Sequence, residues 1–269
     1  MAPPDLDTRR LAFGSVAELY DRARPSYPAA VIDDLLEFAR IREPAGATVL
    51  EVGAGTGKAT RLLAERGLTV IALEPSTEMA ALARRNCAEY PSVRVLHSDF
   101  ERYRPAEPVD AVVSAQAWHW VDPQLRYVRA REALVPGGAL AAMWTLPVWD
   151  AIELRDQFRA VYRDTVPELP AGFPMHPASV PDDLTGVWSA EIAATDGLLD
   201  AHERPHDWSC RYSAAEYTQL VSTHQDHILL EPAASQRLLA AIADVIDRAG
   251  GTIEVRWVTR LCLARASAR

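Results

Sequence analysis

Three closely spaced glycines follow an acidic residue at the end of an apolar run, in the segment TVLEVGAGTGKAT of residues 48–60. Residues 48–52 suit a buried strand and residues 60–64 suit a helix, so the glycines form the sharp turn between them. Because glycine has no Cβ, the backbone of such a turn can approach a ligand closely. The carboxylate of Glu51 would repel a pyrophosphate, but it would attract an amino group, a sulfonium or a ribose hydroxyl.

A second acidic residue narrows the type of ligand. Glu74 ends the next apolar run, LTVIAL at residues 68–73, where an acid in doubly wound folds hydrogen-bonds the hydroxyls of a ribose. The glycine spacing departs from the G-x-G-x-x-G of dinucleotide-binding enzymes, because Lys58 stands where the third glycine would fall. The two motifs together favour a nucleoside without a pyrophosphate.

These motifs and their order resemble the class I S-adenosylmethionine-dependent methyltransferases over about residues 13–144. LEVGAGTG resembles the loop that binds the methionine part of the cofactor, LEPS at residues 73–76 the ribose-binding strand end, and SDFE at residues 98–101 the acidic turn beside adenine. DAVVSAQAWHW at residues 110–120 and YDRARPSYP at residues 20–28 are similar to a subgroup of small-molecule and natural-product methyltransferases. The resemblance implies S-adenosylmethionine as the cofactor and methyl transfer as the activity.

The resemblance also implies a cofactor site that combines an N-terminal lid with the ends of the strands. We expect this site to contain Tyr20, Arg24, Glu51, Gly53, Ala54, Gly55, Thr56, Gly57, Glu74, Pro75, Met79, Asp99, Phe100 and Gln116. Arg24 is the candidate partner of the methionine carboxylate, because a guanidinium pairs bidentately with a carboxylate. A surface ion pair is the alternative for Arg24, and a plain core position is the alternative for Met79 as an adenine contact.

His119 is the candidate catalytic residue, since it follows the fourth predicted strand and stands between Trp118 and Trp120. It could remove a proton from the acceptor, orient the acceptor, or only hold the loop. A sulfonium carries a good leaving group, so alignment of the nucleophile and exclusion of water are the main requirements. We expect Tyr27, Trp118, Trp120 and Trp144 to line the acceptor pocket, with core packing as the alternative for the tryptophans.

The composition excludes several classes of protein. A net charge of −9 and a pI of about 5.3 argue against nucleic-acid binding, which needs a clustered basic face. No segment approaches 18 uninterrupted apolar residues, so we expect neither export nor membrane insertion. The three cysteines have no C-x-x-C spacing, which favours a reducing compartment and a cytoplasmic location. We expect no metal site, because Pro205 disfavours the helix that would bring His202 and His206 together.

Strand and helix patterns alternate between residues 48 and 144. This alternation predicts an α/β fold with a doubly wound, mostly parallel sheet of Rossmann-like type. Helical patterns at residues 11–20 and 29–41 predict a lid before the first strand. The alternating residues 252–259 predict an antiparallel strand at one side of the sheet.

The pattern changes after the fifth predicted strand, where PELPAGFPMHPASVP lacks periodicity and indicates a substrate cover. We therefore expect a single domain in three parts: N-terminal helices and cofactor-binding half (1–145), an inserted cap (146–195), and C-terminal strands and helices that complete the core (196–269). The length of 269 residues is near the upper limit for one hydrophobic core.

Three functions remain open from the sequence. The favoured one is methylation of a small molecule in bacterial secondary metabolism, at oxygen rather than at sulfur or nitrogen. The second is a nicotinamide-dependent oxidoreductase, although Lys58 is the only lysine available for a Tyr-x-x-x-Lys motif. The third is a non-catalytic nucleoside-binding partner protein. The sequence leaves the oligomeric state open, including a homodimer.

Overall fold

A computed structural model describes residues 10–169, 188 and 190–267 of the chain. Seven strands form one sheet in the order β3-β2-β1-β4-β5-β7-β6, in which the first five strands of that order are parallel and β7 is antiparallel to both of its neighbours. The strands are β1 (Thr48–Val52), β2 (Thr69–Glu74), β3 (Val93–His97), β4 (Val109–Ala115), β5 (Leu134–Val148), β6 (Leu198–Ser213) and β7 (Thr252–Ala266). The predicted doubly wound, mostly parallel sheet is confirmed.

Helices connect these strands and extend the chain at both ends. A 3₁₀ turn at Ala12–Val16 leads into α1 (Ala17–Ala23), and a second 3₁₀ turn spans Trp118–Trp120. The other helices are α2 (Ala29–Ala39), α3 (Lys58–Glu65), α4 (Thr77–Asn86), α5 (Arg126–Ala133), α6 (Ile152–Thr165), α7 (Ala214–Ser222), α8 (Gln225–Ile228) and α9 (Pro232–Arg248). Residues 190–193 are also helical.

Local sequence explains where several helices begin. Ser76 caps α4, because its hydroxyl accepts the backbone N–H of Met79 at 3.3 Å. Ser213 and Glu216 form a capping box at the start of α7, each side chain accepting a backbone N–H of the other residue. Pro232 occupies the first turn of α9, where a missing N–H leaves no hydrogen bond unmade.

The sheet is buried on both faces, as a parallel sheet requires. The neighbouring residues Val49 and Leu50 of β1 point to opposite faces of the sheet. Leu50 belongs to a hydrophobic cluster beneath α5, and Val49 belongs to a second cluster beneath α2 and α3. A third hydrophobic cluster joins α6, α7 and α9 to the nearby ends of β6 and β7. We call these helices, together with α8, the C-terminal lobe.

Two predictions about the edges of the fold need correction. The last strand, β7, is antiparallel as expected, but it lies between β5 and β6 and not at the side of the sheet. The edge strand is β6, and an edge tolerates the missing N–H of Pro205. The helix expected at residues 11–20 is a 3₁₀ turn followed by a helix that continues to Ala23. The proline-rich part of the expected cap lies outside the described residues.

Candidate active site

A cleft opens beside the carboxyl ends of β1, β2 and β4, where doubly wound folds bind ligands. It encloses about 710 Å³ of space, counting its open mouth. Its walls come from the N-terminal segment, the glycine loop and the turns after β2, β3 and β4. The lining residues are Arg10, Phe13, Tyr20, Val52, Gly53, Gly55, Leu73, Glu74, Pro75, Met79, Ser98, Asp99, Phe100, Glu101, Ala115, Gln116, Ala117, Trp120 and Val121.

The glycine loop between β1 and α3 forms the floor of the cleft. The backbone N–H groups of Gly53 and Ala54 both donate to the carbonyl of Leu73 at 2.9 Å, which fixes the loop against β2. A Cβ on Gly53 would come within 2.3 Å of the Cβ of Ala117, whereas a Cβ on Gly55 would meet no atom within 4 Å. Gly55 has a φ of +58°, so only its lack of a side chain keeps the floor both strain-free and open.

Glu74, at the end of β2, is buried and lines the cleft. Its Oε2 accepts the backbone N–H of Gly55 at 2.8 Å, and its Oε1 accepts the backbone N–H of Ser76 at 2.9 Å. Burial raises the pKa of this carboxyl, and the two backbone hydrogen bonds act in the opposite direction. Each carboxyl oxygen still has acceptor capacity for a ribose hydroxyl.

Four other predicted cofactor residues line the wall beyond Glu74: Pro75, Met79, Asp99 and Phe100. The Oδ1 of Asp99 accepts the backbone N–H of Arg102 at 2.9 Å, which closes the turn after β3. This wall combines a thioether, an aromatic ring and a carboxylate, the groups that suit a flat purine with polar edges.

The sequence analysis missed several residues of the cleft. Arg10 and Glu101 form an ion pair at 3.3 Å across its rim. Phe13 packs edge to face against Tyr20 at 5.9 Å and against Trp120 at 6.1 Å between ring centroids. Glu101 lies in the SDFE motif, and Phe13 is the first residue of the segment that resembles the methyltransferases. Proximity to these motifs was therefore the sequence signal that could have identified them as cleft residues.

Hydrogen bonds to Asp21 join helix α1 to the glycine loop and the start of α3. The Asp21 carboxylate accepts the hydroxyl of Thr56 at 2.7 Å, and the Asp21 backbone carbonyl accepts Nζ of Lys58 at 2.7 Å. Lys58 also lies 3.7 Å from the Asp21 carboxylate. These contacts place Tyr20 in the cleft wall and bring Arg24 from the same helix end to the C-terminal lobe.

Arg24 does not line the cleft, but its side chain reaches the loop between α7 and α8. Its Nε donates to the hydroxyl of Thr223 at 2.8 Å, and its Nη2 lies 3.0 Å from Nδ1 of His224. Its guanidinium lies 5.0 Å from the ring centroid of Tyr20, and burial lowers its pKa. Among the described residues no carboxylate forms an ion pair with Arg24.

Glu51 does not line the cleft, contrary to expectation. It is almost fully buried behind the glycine loop, where its Oε2 accepts the hydroxyl of Thr60 at 2.6 Å. Burial, opposed by the hydrogen bond from Thr60 and aided by the charge of nearby Glu74, raises its pKa to about 8. In this position Glu51 ties β1 to the first turn of α3. Ala54, Thr56 and Gly57 likewise support the loop without lining the cleft.

The two tryptophans of the loop after β4, both expected to line the acceptor pocket, lie in different environments. Trp120 lines the cleft, whereas Trp118 is fully buried between Phe100 and Tyr127 and belongs to the hydrophobic core. Neither a β-strand pattern nor helical spacing determines the face of such a short turn, so the sequence could not separate the two. Gln116 lines the cleft with a φ of +61°.

His119 lies in the same turn, half-buried and outside the cleft lining. The indole Nε1 of Trp144 donates to its Nδ1 at 3.2 Å. Because an indole N–H can only donate, Nδ1 must hold a lone pair, and the proton of the neutral ring is then on Nε2. Trp144 is a buried residue that also stacks on Trp188. Trp144 therefore supports His119 and does not line the cleft.

Tyr27, the remaining expected pocket residue, packs against the core cluster beneath α2 and not in the cleft wall. Burial raises the pKa of its phenol well above the ordinary value, and the charges of Glu51 and Arg24 also act on it. The described part of the chain contains no group of His, Cys, Asp and Glu residues that could hold a metal ion. In that part we also find no helix with the length and apolar character needed to cross a bilayer.

The fold and the cleft define a doubly wound nucleoside-binding protein, and comparisons with known proteins specify its family. The family described as "Methyltransferase domain" matches residues 49–138. An uncharacterised methyltransferase of Mycobacterium tuberculosis is 38% identical over 176 residues, which are 58% of this chain and 69% of that protein. The chain belongs to the class I S-adenosylmethionine-dependent methyltransferase family, and it is an enzyme of that class.

Solved structures share the fold. A protein from Anaeromyxobacter dehalogenans, provisionally assigned as a type II methyltransferase, aligns with a TM-score of 0.65 at 24% identity, covering 91% of this chain and 99% of that one. A phosphoethanolamine N-methyltransferase from Haemonchus contortus, solved with phosphomonomethylethanolamine and S-adenosylhomocysteine, aligns with a TM-score of 0.55 at 17% identity, covering 98% and 60%.

S-Adenosylmethionine is the cofactor of this family, and the residues of the cleft fit it. The space above Gly55 is open, Glu74 retains acceptor capacity for the ribose, and Arg24 is a cation that no described acid neutralises. Membership of the methyltransferase family rejects the nicotinamide-dependent alternative.

Proposed function

We propose that this methyltransferase acts on a small molecule and methylates an oxygen atom. The observation that carries the proposal is the contact between Arg24 and Thr223 at 2.8 Å, which joins residues 199 positions apart. Through it the N-terminal helices and the C-terminal lobe are in direct contact. A site covered from both sides leaves room for a small acceptor and no open platform for a macromolecule.

We assign the parts of S-adenosylmethionine to the groups around the cleft. Glu74 would accept the ribose hydroxyls, and Met79, Asp99 and Phe100 would contact the adenine. Gly53 and Gly55 would lie under the methionine chain, beside Tyr20. Arg24 would pair with the methionine carboxylate, since a guanidinium binds a carboxylate bidentately. The bound cofactor supplies an electrophilic methyl group on a sulfonium, which needs an aligned nucleophile and little else.

The tautomer of His119 argues against base catalysis. Nδ1 accepts the indole N–H of Trp144 and Nε2 carries the proton, whereas a general base would need a lone pair on Nε2. The acceptor oxygen is then one that is already anionic, such as a carboxylate or phenolate. Such an oxygen attacks the methyl carbon as the C–S bond breaks, and no proton has to be removed. We therefore propose that His119 positions the loop after β4 and does not act as a base.

The cellular setting is also a proposal. The bacterial relative and the near absence of lysine support a bacterial source, and with the subgroup resemblance they support a role in secondary metabolism. Cys87, Cys210 and Cys262 form no disulfide with one another, which supports a reducing compartment such as the cytoplasm. We propose that residues 146–195 cover the acceptor.

A product screen tests the proposed acceptor. The enzyme is incubated with S-adenosylmethionine carrying an isotopically labelled methyl group and with separate panels of carboxylic acids, phenols, thiols and amines. We expect labelled esters or aryl ethers, identified by mass spectrometry. A labelled thioether or methylamine as the main product would overturn the oxygen assignment. Label found only in protein or nucleic acid from an added extract would overturn the small-molecule assignment.

A further inference from the structure

Among the described residues, the guanidinium of Arg24 makes its hydrogen bonds only with the loop between α7 and α8. Nε donates to the hydroxyl of Thr223 at 2.8 Å, and Nη2 lies 3.2 Å from the carbonyl of Thr223 and 3.0 Å from Nδ1 of His224. The Thr223 hydroxyl donates in turn to the carbonyl of Leu220 at 2.7 Å. The orientation of that hydroxyl is thus fixed, with its lone pairs available to Arg24.

His224 acts on Arg24 as an acceptor. Guanidinium groups only donate, so Nδ1 of His224 must carry a lone pair. Burial, the charge of Arg24 and the nearby His227 hold the pKa of His224 well below its ordinary value. The ring is therefore neutral, and its contact with Arg24 orients the guanidinium without placing a negative charge beside it.

The three acceptors fix the plane of the guanidinium without neutralising it. Thr223 is completely buried, and His224 is nearly so, which leaves this arrangement little freedom to change. Among the described residues Arg24 forms no ion pair, and Nη1 makes no hydrogen bond. A fixed and uncompensated cation with one free edge is suited to a carboxylate, because a preorganised fork loses less entropy when it binds.

We propose that Thr223 and His224 are positioning residues for the cofactor: they aim the guanidinium of Arg24 at the methionine carboxylate. Cofactor affinity then depends on the C-terminal lobe, although that lobe does not line the cofactor cleft. This inference rests on the proposed pairing of Arg24 with the cofactor carboxylate.

Two ligands that differ in the amino-acid part test the inference. S-Adenosylhomocysteine has the carboxylate, whereas 5′-methylthioadenosine keeps the adenosine and sulfur and lacks it. By titration calorimetry, we expect Thr223→Val to weaken S-adenosylhomocysteine binding about tenfold, the loss expected for one hydrogen bond to a charged group. Binding of 5′-methylthioadenosine should be unchanged. Thr223→Ser, which restores the hydroxyl, should restore most of the affinity.

Thr218→Val is the matched control, because Thr218 lies on α7 and, within the described part of the chain, its hydroxyl donates only to the helix carbonyls of Ala214 and Ala215. It should change neither affinity. If Thr223→Val fails to fold, His224→Leu removes the other acceptor and should again weaken only S-adenosylhomocysteine. Equal weakening of both ligands by these variants, or no weakening of either, would overturn the positioning role.

Arg24→Met separates this inference from the proposal on which it rests. If Arg24→Met leaves S-adenosylhomocysteine binding unchanged, the assignment of Arg24 to the carboxylate fails and the positioning role fails with it. If Arg24→Met weakens that ligand selectively while Thr223→Val and His224→Leu do not, only the positioning role fails. Selective weakening by all three variants supports both.

Discussion

The backbone N–H of Gly55 donates to Oε2 of Glu74 at 2.8 Å. The tip of the glycine loop and the acid at the end of β2 are therefore one unit, although they are 19 residues apart in the sequence. The second carboxylate oxygen accepts the backbone N–H of Ser76, so the side chain cannot rotate away without leaving both backbone donors without this acceptor. The cofactor site therefore contains two preorganised groups, the Gly55 backbone without a side chain and the Glu74 carboxylate in a fixed orientation.

Gly55→Val should abolish cofactor binding. Its effect on the unfolding free energy should be limited to the backbone strain at that position. Valine at a φ of +58° is strained by about 1–2 kcal/mol, and its branches would fill the open space of the cleft. Gly137→Val is the control, since Gly137 has a φ of +80° and open space but lies away from the cleft. By calorimetry with S-adenosylhomocysteine, only the Gly55 variant should lose affinity. Equal affinity in the two variants would show that the loop does not contact the cofactor.

Glu74→Ala should weaken the cofactor by about 10–100-fold, as expected for hydrogen bonds of about 1.5–3 kcal/mol to a charged acceptor. The unfolding free energy should fall as well, because the N–H groups of Gly55 and Ser76 lose their partner. The discriminating ligand is 2′-deoxyadenosine compared with adenosine. The parent protein should prefer adenosine, and Glu74→Ala should bind both alike. A preference that survives the substitution would place the ribose elsewhere.

His119 variants separate positioning from base catalysis. His119→Asn keeps an acceptor for the indole of Trp144 and should retain most of the turnover, whereas His119→Ala removes it and should lower turnover. Both should bind S-adenosylhomocysteine as the parent does. The parent rate should follow the ionisation of the acceptor and not that of an imidazole. A loss of about 10²–10⁴-fold in His119→Asn would instead indicate general base catalysis.

Glu51 should make the protein less stable as the pH rises. Burial raises its pKa to about 8, whereas the unfolded chain releases that proton near pH 4.3. Between these values the folded state binds more protons than the unfolded state, so the unfolding free energy falls with increasing pH. Glu51→Gln should reduce this decline in urea titrations at pH 5, 7 and 8.5. The exposed Glu107→Gln is the control, and identical slopes in all three proteins would contradict the argument.

The local motifs of the site were predictable from the sequence, because each depends on neighbouring residues. The strand, glycine turn and acid around Gly55 follow from residue types within a few positions, and Glu74 follows from the next apolar run. The parallel sheet follows from their alternation. Such features depend little on the rest of the chain.

Features that depend on distant or facing residues were not predictable. The contact of Arg24 with Thr223 and His224 joins segments about 200 residues apart, and no local pattern reports it. Glu51 and Trp118 are buried and therefore do not line the cleft. A single sequence does not reveal which face of a strand end or of a short turn is directed into the cleft. The position of β7 inside the sheet likewise depends on pairing with β6, which turn signals do not encode.

Lys58→Met should loosen α1 and thereby weaken the cofactor. Nζ of Lys58 donates to the carbonyl of Asp21 at 2.7 Å, and burial lowers its pKa while the Asp21 charge opposes this shift. Without that bond, the hydrogen bond from Thr56 is the remaining contact between Asp21 and the glycine loop. Residues 17–23 should therefore exchange amide hydrogens faster than in the parent protein. S-Adenosylhomocysteine affinity should fall by about three- to tenfold. Arg61→Met on the same helix is the control, because the Arg61 side chain forms no hydrogen bond or ion pair with the described residues, and only its backbone N–H donates, to the carbonyl of Gly57. Unchanged exchange in α1 of Lys58→Met would refute the coupling.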